Sequence, residues 1–335
     1  MNTRNNLFDN VKALMLLLVA VGHALELYMG SDQILLVVMK YIYLFHMPMF
    51  AFVTGYFTKN LDKAREGAVT RALTPYLILQ TAYVLVAQLM ITIGLASFNT
   101  DIFKPSVILP SSAFYYLLAV FFWKLLGKDF MRMRFPIAMA TILGVCFSLT
   151  SSQEFHEGYG SVFTLLIFFV LGVKCTQEHI EKIRKMPKIA SVAILLLGIL
   201  PAVYLPYEIH SIRMNYESVG FSPIEGILYR LAFYAIAVVM CIAIINLMTA
   251  KKTFFSRVGE SAIVVYGVST FLSPHGYLLL DKIFNIPDNT WVRLISIIIF
   301  SAVVVGLGAV PLFVKIFNWL VSFVNGILFR KETGK

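Results

Sequence analysis

Long apolar stretches alternate with short polar or basic segments along almost the whole chain. A helix needs about 20 apolar residues to cross a bilayer. Apolar runs near this length occur at 11–29, 34–58, 73–96, 112–127, 135–150, 160–174, 189–206, 224–249, 260–281 and 290–324. The pattern predicts an all-α, polytopic membrane protein with about ten transmembrane helices. The last run is long enough to span and then continue along the interface, with a bend at Pro311.

Basic residues fall mainly on alternate segments, which sets the predicted orientation. If the N-terminus is cytoplasmic, basic clusters at 59–71, 124–134 and 174–188 face the inside. The outer segments then hold only Lys104, Arg213 and Lys282. Such an excess of Lys and Arg in cytoplasmic loops is the positive-inside rule. Both termini are therefore predicted to be cytoplasmic, and the chain to form a single membrane-embedded domain over 1–335 without a separate soluble domain.

Composition agrees with a membrane protein and excludes several other classes. The chain is 59% hydrophobic and 14% charged, whereas an ordinary soluble domain has about 25% charged residues. The formal net charge of +10 follows from topology and from attraction to anionic lipid, so a lipid bilayer but no nucleic acid is the expected partner. The spacing of Cys146, Cys175 and Cys241 fits neither a disulfide framework nor a metal site, and no metal is predicted.

The first predicted helix carries ionisable side chains along one side. Asp9 lies three residues before Lys12, and His23 and Glu26 follow further along the same stripe. With 3.6 residues per turn, Lys12 and His23 share a face and lie about 16 Å apart along the axis. A charge at the bilayer centre costs ~3 kcal/mol or more, so such groups face a cavity or a partner. The stripe therefore predicts a passage or a buried bundle surface.

Two histidines fall inside the first two predicted spans, His23 and His46. An imidazole near neutrality can take a proton from a hydroxyl, and a neighbouring carboxylate such as Glu26 can fix its tautomer and raise its basicity. A structural histidine and an interfacial glutamate explain each residue alone as well, but the joint pattern favours catalysis. Pro48 follows His46 and predicts a kink that frees backbone carbonyls beside it.

Arg71 stands one turn before Pro75 in TRALTPY, at the entrance of the third predicted helix. A guanidinium group can make two hydrogen bonds to one anion, which suits it to phosphate. A basic residue that only sets orientation is the alternative, and that alternative would be preferred if Arg71 stood alone.

Three segments resemble the acyltransferase-3 family of integral-membrane O-acyltransferases. FDNVKALMLLLVAVGH resembles the opening of that family, an acidic residue, a basic residue and, after a gap of ten residues, a histidine, here Asp9, Lys12 and His23. FHMPMFAFVTGYF resembles its second-helix motif, and RALTPY its third-helix entrance. Weaker similarity continues in AFYYLLAVFFWKLL, FFVLGV and FSRVGESAIVVYG. The size resembles that of members that acetylate fucose or other sugars of surface polysaccharide.

This resemblance implies a donor, an acceptor and a place in the cell. The donor co-substrate would be an acyl-CoA such as acetyl-CoA, reached from the cytoplasm. The acceptor would be a hydroxyl of a sugar or polysaccharide, often at the outer face of a bacterial cytoplasmic membrane.

The resemblance also implies roles for particular residues. His23 would be the catalytic base, and His46 would line the site. Lys12 and Arg71, with Asp9 beside them, would form the donor site at the phosphates of the acyl-CoA.

Two positions depart from the family pattern. Many relatives carry two arginines three residues apart at the third-helix entrance, whereas this chain has Ala68 and Arg71, with Arg65 as a substitute. Relatives also often have a histidine shortly after the tyrosine of the late segment, whereas here GVST follows Tyr266. The first departure concerns the residues that would bind the donor. At the second, no residue of this chain matches the late histidine of the relatives, so its role is not assigned.

Several alternatives stay open at this point. Direct transfer is preferred because no Ser or Cys in the first two helices pairs with a histidine, but a covalent acyl intermediate is the other route. A transporter or exporter of a glycan or acyl group could use the same stripe, although transporters tend to show paired interrupted helices in corresponding halves. An inactive scaffold is a third reading. The acceptor, the acyl group and the oligomeric state are not determined.

Overall fold

The protein is described here by a computed structural model that covers residues 6–92, 109–149, 153–205 and 215–329. Every regular element in these ranges is helical, which confirms the all-α prediction. The α-helices are α1 (Asn6–Leu25), α2 (Gln33–Tyr43), α3 (His46–Tyr56), α4 (Leu61–Glu66), α5 (Thr74–Thr92), α6 (Tyr115–Met131), α7 (Pro136–Phe147), α8 (Gln153–Thr164), α9 (Leu166–Lys174), α10 (Gln177–Lys185), α11 (Lys188–Leu197), α12 (Ile199–Tyr204), α13 (Pro223–Leu247), α14 (Phe254–Glu260), α15 (Ala262–Phe284), α16 (Thr290–Gly308) and α17 (Pro311–Leu328).

Seven helical segments in the described ranges are long and apolar enough to cross a membrane. They are Asn6–Tyr28, Gln33–Tyr56, Val69–Thr92, Pro223–Leu247, Ala262–Phe284, Thr290–Gly308 and Pro311–Leu328. A pair bent by 95°, Tyr159–Lys174 and Gln177–Lys185, makes an eighth if it is one broken span, and two further apolar helices are shorter. The protein is therefore a multi-pass membrane protein. The count of ten and the cytoplasmic termini stay predictions, and Lys104 and Arg213 lie outside the described residues.

The last apolar run forms two helices rather than one bent helix. α16 ends at Gly308 and α17 begins at Pro311, because proline fits the first turn of a helix but cannot continue one. α17 has no buried side chain and is apolar enough to be a span of its own. The bend predicted at Pro311 is thus a break between two helices, and the location of the second helix along the interface stays a prediction.

The second span is interrupted beside His46. α2 ends at Tyr43, α3 begins at His46, and Phe45 between them has the non-helical backbone angles φ −139° and ψ −20°. Pro48 lies in the first turn of α3, where its missing N–H is tolerated. The kink predicted from Pro48 is thus a break just before the histidine, and it places the imidazole at the start of a helix.

α1 lies at the centre of the packing and contacts α3, α14, α15 and α16. Its N-terminal end is fixed by Asn10, which is 3% exposed. The Asn10 amide donates hydrogen bonds to the carbonyls of Thr249 and Lys251, at 2.9 and 3.0 Å. Its carbonyl oxygen accepts from the hydroxyls of Thr253 and Ser256. All the polar capacity of a buried amide is used, and the start of the polar stripe has a fixed position.

α3 and α9 approach each other at two glycines. A Cβ atom at Gly55 would overlap the carbonyl of Phe169, and one at Gly172 would overlap the carbonyl of Phe52. Beyond this contact, Lys59 Nζ donates to the carbonyls of Gly172, Val173 and Cys175, at 2.8, 2.7 and 2.5 Å. A cation at these free carbonyls stabilises the C-terminus of a helix. The loop after α3 is therefore held against α9 at one wall of the cavity described next.

Candidate active site

A cavity of about 770 Å³ opens between α1, α3, α5, α6 and α15. Five of its lining side chains are basic, and among the described residues that line it none is acidic. The basic residues are Lys12, Lys59, Lys63, Arg71 and Lys124. A concave site with one sign of charge attracts ligands of the opposite sign, so this cavity is suited to a polyanion such as a group of phosphates.

Two of the five basic residues are partly engaged by the protein itself. Lys12 Nζ pairs with Asp9 Oδ1 at 2.6 Å, and Asp9 lies behind it, 4% exposed and outside the cavity wall. Lys59 is held by the α9 carbonyls, and burial lowers its pKa from the ordinary lysine value. The predicted donor-site residues thus divide into Lys12 and Arg71, which line the cavity, and Asp9, which positions Lys12.

Arg71 lies in a short π-helical segment, Val69–Leu73, directly before α5. A π turn accommodates one extra residue, and such turns often occur at functional sites. The side chain of Arg71 is exposed on the cavity wall. Arg65 takes a different direction, since its Nε donates to the Leu125 carbonyl at 2.8 Å and its guanidinium pairs with Asp129. Arg65 therefore binds α6 and does not line the cavity.

The inner end of the cavity carries hydroxyl groups on aromatic and small side chains. Thr54 Oγ1 and the Tyr116 hydroxyl lie 2.6 Å apart, and Tyr116 donates to the Phe50 carbonyl at 2.9 Å. Tyr266 donates to the carbonyl of Ala113. Because these hydroxyls bond to the protein, they hold the ring positions at the point where the cavity narrows to aromatic side chains.

A second polar group lies further along α1. His23 Nδ1 donates to Glu26 Oε2 at 3.3 Å, as expected for residues three apart on a helix. The other carboxylate oxygen, Glu26 Oε1, accepts a hydrogen bond from the hydroxyl of Tyr43. The side chains of His23 and Glu26 are 14% and 38% exposed. The neutral imidazole then presents Nε2, which is an acceptor, to any hydroxyl that reaches it.

His46 lies in the same region, at the start of α3. Its Nδ1 donates to the Ile42 carbonyl at 3.0 Å, and its ring centroid is 4.9 Å from that of Tyr43. The side chain is 6% exposed, and the Tyr43 ring that it contacts carries the hydroxyl that donates to Glu26. The structure thus brings the three predicted catalytic residues, His23, Glu26 and His46, into one cluster.

His275 belongs to the neighbourhood of this cluster and was missed by sequence reasoning. It follows Pro274 inside α15, a helix that packs against α1, and its Nε2 lies 3.2 Å from the Tyr83 hydroxyl. The signal was present, because His275 is a further histidine within an apolar run. The family pattern has a histidine shortly after the tyrosine of the late segment, whereas His275 lies nine residues after Tyr266.

The basic cavity and the histidine cluster are separate in this structure. His23, Glu26 and His46 do not line the cavity. Aromatic rings in successive edge-to-face contact begin at the cavity wall, with centroids 6.4 Å apart from Phe50 to Tyr266, 6.4 Å from Tyr266 to Phe114 and 5.7 Å from Phe114 to Tyr83. Tyr83 then contacts His275. We call Phe50, Tyr266, Phe114 and Tyr83 the aromatic row.

The fold and these two sites define a class, a multi-pass helical membrane protein with a basic cavity and a separate histidine–carboxylate cluster on one central helix. Comparison with known proteins makes this specific. The family model described as "Acyltransferase domain" matches residues 5–311, so the chain is a multi-pass membrane protein of the acyltransferase-3 family.

A shorter similarity connects the chain to a curated protein. The nodulation protein NolL of Sinorhizobium fredii (strain NBRC 101917 / NGR234) is 43% identical over 58 residues. That alignment covers 16% of this chain and 16% of NolL, so it describes a segment and not the whole protein. No solved structure matches the chain.

Proposed function

We propose that this protein transfers an acetyl or similar short acyl group from acyl-CoA to a hydroxyl of a surface sugar or polysaccharide. The observation that carries the proposal is the arrangement along α1. A cavity whose described lining includes five basic and no acidic side chains lies near one end, and a histidine–glutamate pair lies near the other. Family membership supports acyl transfer, and the arrangement supports a donor with phosphates.

In this proposal the phosphates of acyl-CoA bind at the basic cavity. Arg71 has the exposure and the forked donors to hold one phosphate, and Lys63 and Lys124 add charge on facing walls. The thioester arm then extends along α1 towards His23, over the roughly 16 Å that separates residues eleven apart on a helix. Phe50 and Tyr266 line the cavity, and we propose that they move aside where the arm leaves it.

His23 is the proposed general base. The acceptor hydroxyl gives its proton to His23 Nε2 while its oxygen attacks the thioester carbonyl carbon, and a C–O bond forms. The C–S bond then breaks, and the imidazolium returns the proton to the CoA thiolate, so that the products are an ester and free CoA. Glu26 keeps the proton of the neutral ring on Nδ1 and stabilises the transient imidazolium. His46 is proposed to line this site.

The acceptor is proposed to enter from the side of the membrane opposite the basic cavity. Glu26 is more than a third exposed, so the cluster is accessible from the end of α1 at which the chain leaves the helix. A bacterial cytoplasmic membrane with the cavity facing the cytoplasm places acyl-CoA and the surface glycan on the correct sides.

Transfer of label from radioactive acetyl-CoA to a candidate glycan by the purified protein tests the reaction. We expect His23→Ala to abolish transfer while the amount of folded protein stays unchanged, because no other base replaces the imidazole. Wild-type rates in that variant would exclude His23 as the base. Movement of glycan across proteoliposomes without ester formation would instead support the transporter.

A further inference from the structure

Tyr43 connects the histidine–glutamate pair to the second span. It is the last residue of α2, two residues before the break that precedes His46. Its hydroxyl donates to Glu26 Oε1, while Glu26 Oε2 accepts from His23 Nδ1. Each carboxylate oxygen therefore has its own donor, and the two donors come from different helices.

Glu26 needs such an anchor because of where it lies. It is the first residue of the 3₁₀ turn Glu26–Tyr28 that follows α1, and its side chain is 38% exposed. A half-exposed glutamate has several rotamers available, and fixing one of them costs side-chain entropy. A phenol on a neighbouring helix, with only two side-chain torsions, can hold one rotamer at a lower cost.

The place of the Tyr43 ring is itself determined by its surroundings. A Cβ atom at Gly22 would lie 2.7 Å from Tyr43 Cε1, so the ring occupies space that only a glycine leaves on α1. On its other side the ring contacts His46, with centroids 4.9 Å apart and planes inclined by 35°. Gly22 is directly before His23, so the gap that admits the ring is next to the proposed base.

We propose that Tyr43 is a positioning residue for the catalytic pair, holding the Glu26 carboxylate in the orientation that directs His23 Nε2 at the acceptor hydroxyl. This inference rests on the proposed function of His23. Groups that orient a functional histidine in this way typically change activity by about 10–100-fold when they are removed. Tyr43 is not expected to contact either substrate.

The first test compares Tyr43→Phe with Tyr41→Phe. Tyr41 is a matched control, because it lies on the same helix and its hydroxyl donates to the Leu195 carbonyl at 2.9 Å, away from His23. We expect Tyr43→Phe to lower kcat about 10–100-fold with an unchanged KM for acetyl-CoA, and Tyr41→Phe to keep the wild-type kcat. Equal kcat values for wild type and Tyr43→Phe would overturn the proposal.

A double-mutant cycle separates positioning from general stability. If Tyr43 acts only through Glu26, Tyr43→Phe should lower kcat far less in a Glu26→Gln background than in the wild type. Independent, multiplicative effects on kcat would contradict the proposed route. Because the phenylalanine ring still fills the gap at Gly22, we expect Tyr43→Phe to keep the wild-type Tm. Thermal unfolding of each variant in detergent checks this and shows whether unfolding causes the loss of kcat.

A readout without turnover keeps the test independent of the reaction. At about pH 8.5, where an ordinary imidazole is neutral, diethyl pyrocarbonate labels the histidine nitrogen that is free, and mass spectrometry measures the rate at His23. We expect labelling of His23 to slow in Tyr43→Phe to the rate in Glu26→Gln, because an oriented carboxylate makes Nε2 more nucleophilic, and to stay at the wild-type rate in Tyr41→Phe. A wild-type rate in Tyr43→Phe refutes the positioning role, even if wild-type protein transfers no acetyl group and the proposed function itself fails.

Discussion

Arg71 is present at the third-helix entrance, but the second arginine that many relatives are expected to carry there is absent. Where many relatives are expected to have a second arginine, this chain has Ala68, which is fully buried. Arg65, the substitute suggested by sequence, is bound to α6 through Leu125 and Asp129. The additional positive charge in the cavity comes instead from Lys63 and Lys124, which are distant in sequence and meet only in the fold.

Replacement of Arg71 by alanine should weaken donor binding specifically. Loss of a charged hydrogen bond costs about 1.5–3 kcal/mol, which corresponds to a rise in KM for acyl-CoA of roughly ten- to hundredfold, with little change in KM for the acceptor. Arg65→Ala is the matched control and should leave the KM for the donor unchanged. Steady-state kinetics with each substrate varied in turn checks this. Equal increases in both KM values would remove the assigned role.

Among the helices, the contact between α3 and α9 shows the tightest constraint. Gly55 and Gly172 each face a backbone carbonyl of the other helix, and neither position has room for a Cβ atom. In a bilayer, where apolar surface gives little driving force for association, small residues at such crossings let two backbones approach closely. This crossing fixes α3, and α3 carries both His46 and the cavity residue Thr54.

Gly55→Ala should therefore destabilise the protein, whereas Gly306→Ala should not. Forcing a methyl group into a packed site typically costs about 1–3 kcal/mol, and at Gly55 the obstacle is backbone that cannot rotate away. A Cβ atom at Gly306 in α16 meets no atom within 4 Å. Thermal unfolding in detergent should show a clear fall in Tm for the first variant only; equal Tm values would mean that the α3–α9 crossing tolerates separation.

A capping contact joins Asp32, the residue before α2, to Thr290, the first residue of α16. Asp32 Oδ1 accepts from the backbone N–H groups of Ile34 and Leu35, at 2.9 and 3.1 Å, and Oδ2 accepts from the Thr290 hydroxyl at 2.5 Å. The hydrogen bond from Thr290 is the main cause that lowers the pKa of Asp32 below its ordinary value. A carboxylate with a lowered pKa stabilises the folded state at neutral pH, and this contribution is lost as the pH falls through the lowered pKa.

Acidification should accordingly affect the wild type more than Asp32→Asn. Asparagine can still cap the helix but does not titrate, so the difference in Tm between the two proteins should shrink as the pH falls from neutrality to about 3, below the ordinary carboxyl value. Thr290→Val should move the loss to higher pH. A difference in Tm that is independent of pH would show that the ionisation of Asp32 contributes nothing to stability.

For the whole molecule, patterns of local origin were predictable and contacts between distant segments were not. The all-α class, the stripe on α1 and the interruption near Pro48 follow from helix periodicity and from the chemistry of proline. The second helix after Pro311, the Tyr43 hydroxyl on Glu26 and the neighbourhood of His275 depend on which helices become neighbours. Likewise, no spacing rule indicates that Lys63 and Lys124 share a cavity with Lys12.

The orientation of the whole molecule can be tested at the two ends of the second span. In a variant without the native cysteines, Lys63→Cys should react with a membrane-impermeant maleimide only from the cytoplasmic side, and Ser31→Cys only from the outside. Both side chains are exposed, and the span Gln33–Tyr56 separates them. Labelling in right-side-out and inverted vesicles gives the answer. The reverse pattern would place the basic cavity outside, away from acyl-CoA.

The aromatic row has a consequence for the energy metabolism of the cell. Under the proposed function, a thioester from one side of the membrane meets an alcohol from the other. An open water path between the two sides would conduct ions and dissipate the proton gradient. Edge-to-face contacts join Phe50, Tyr266, Phe114 and Tyr83, and under the proposed function these rings would act as an apolar barrier while the arm is absent. Under the proposed function, an external sugar could then be acylated without a flow of ions across the membrane.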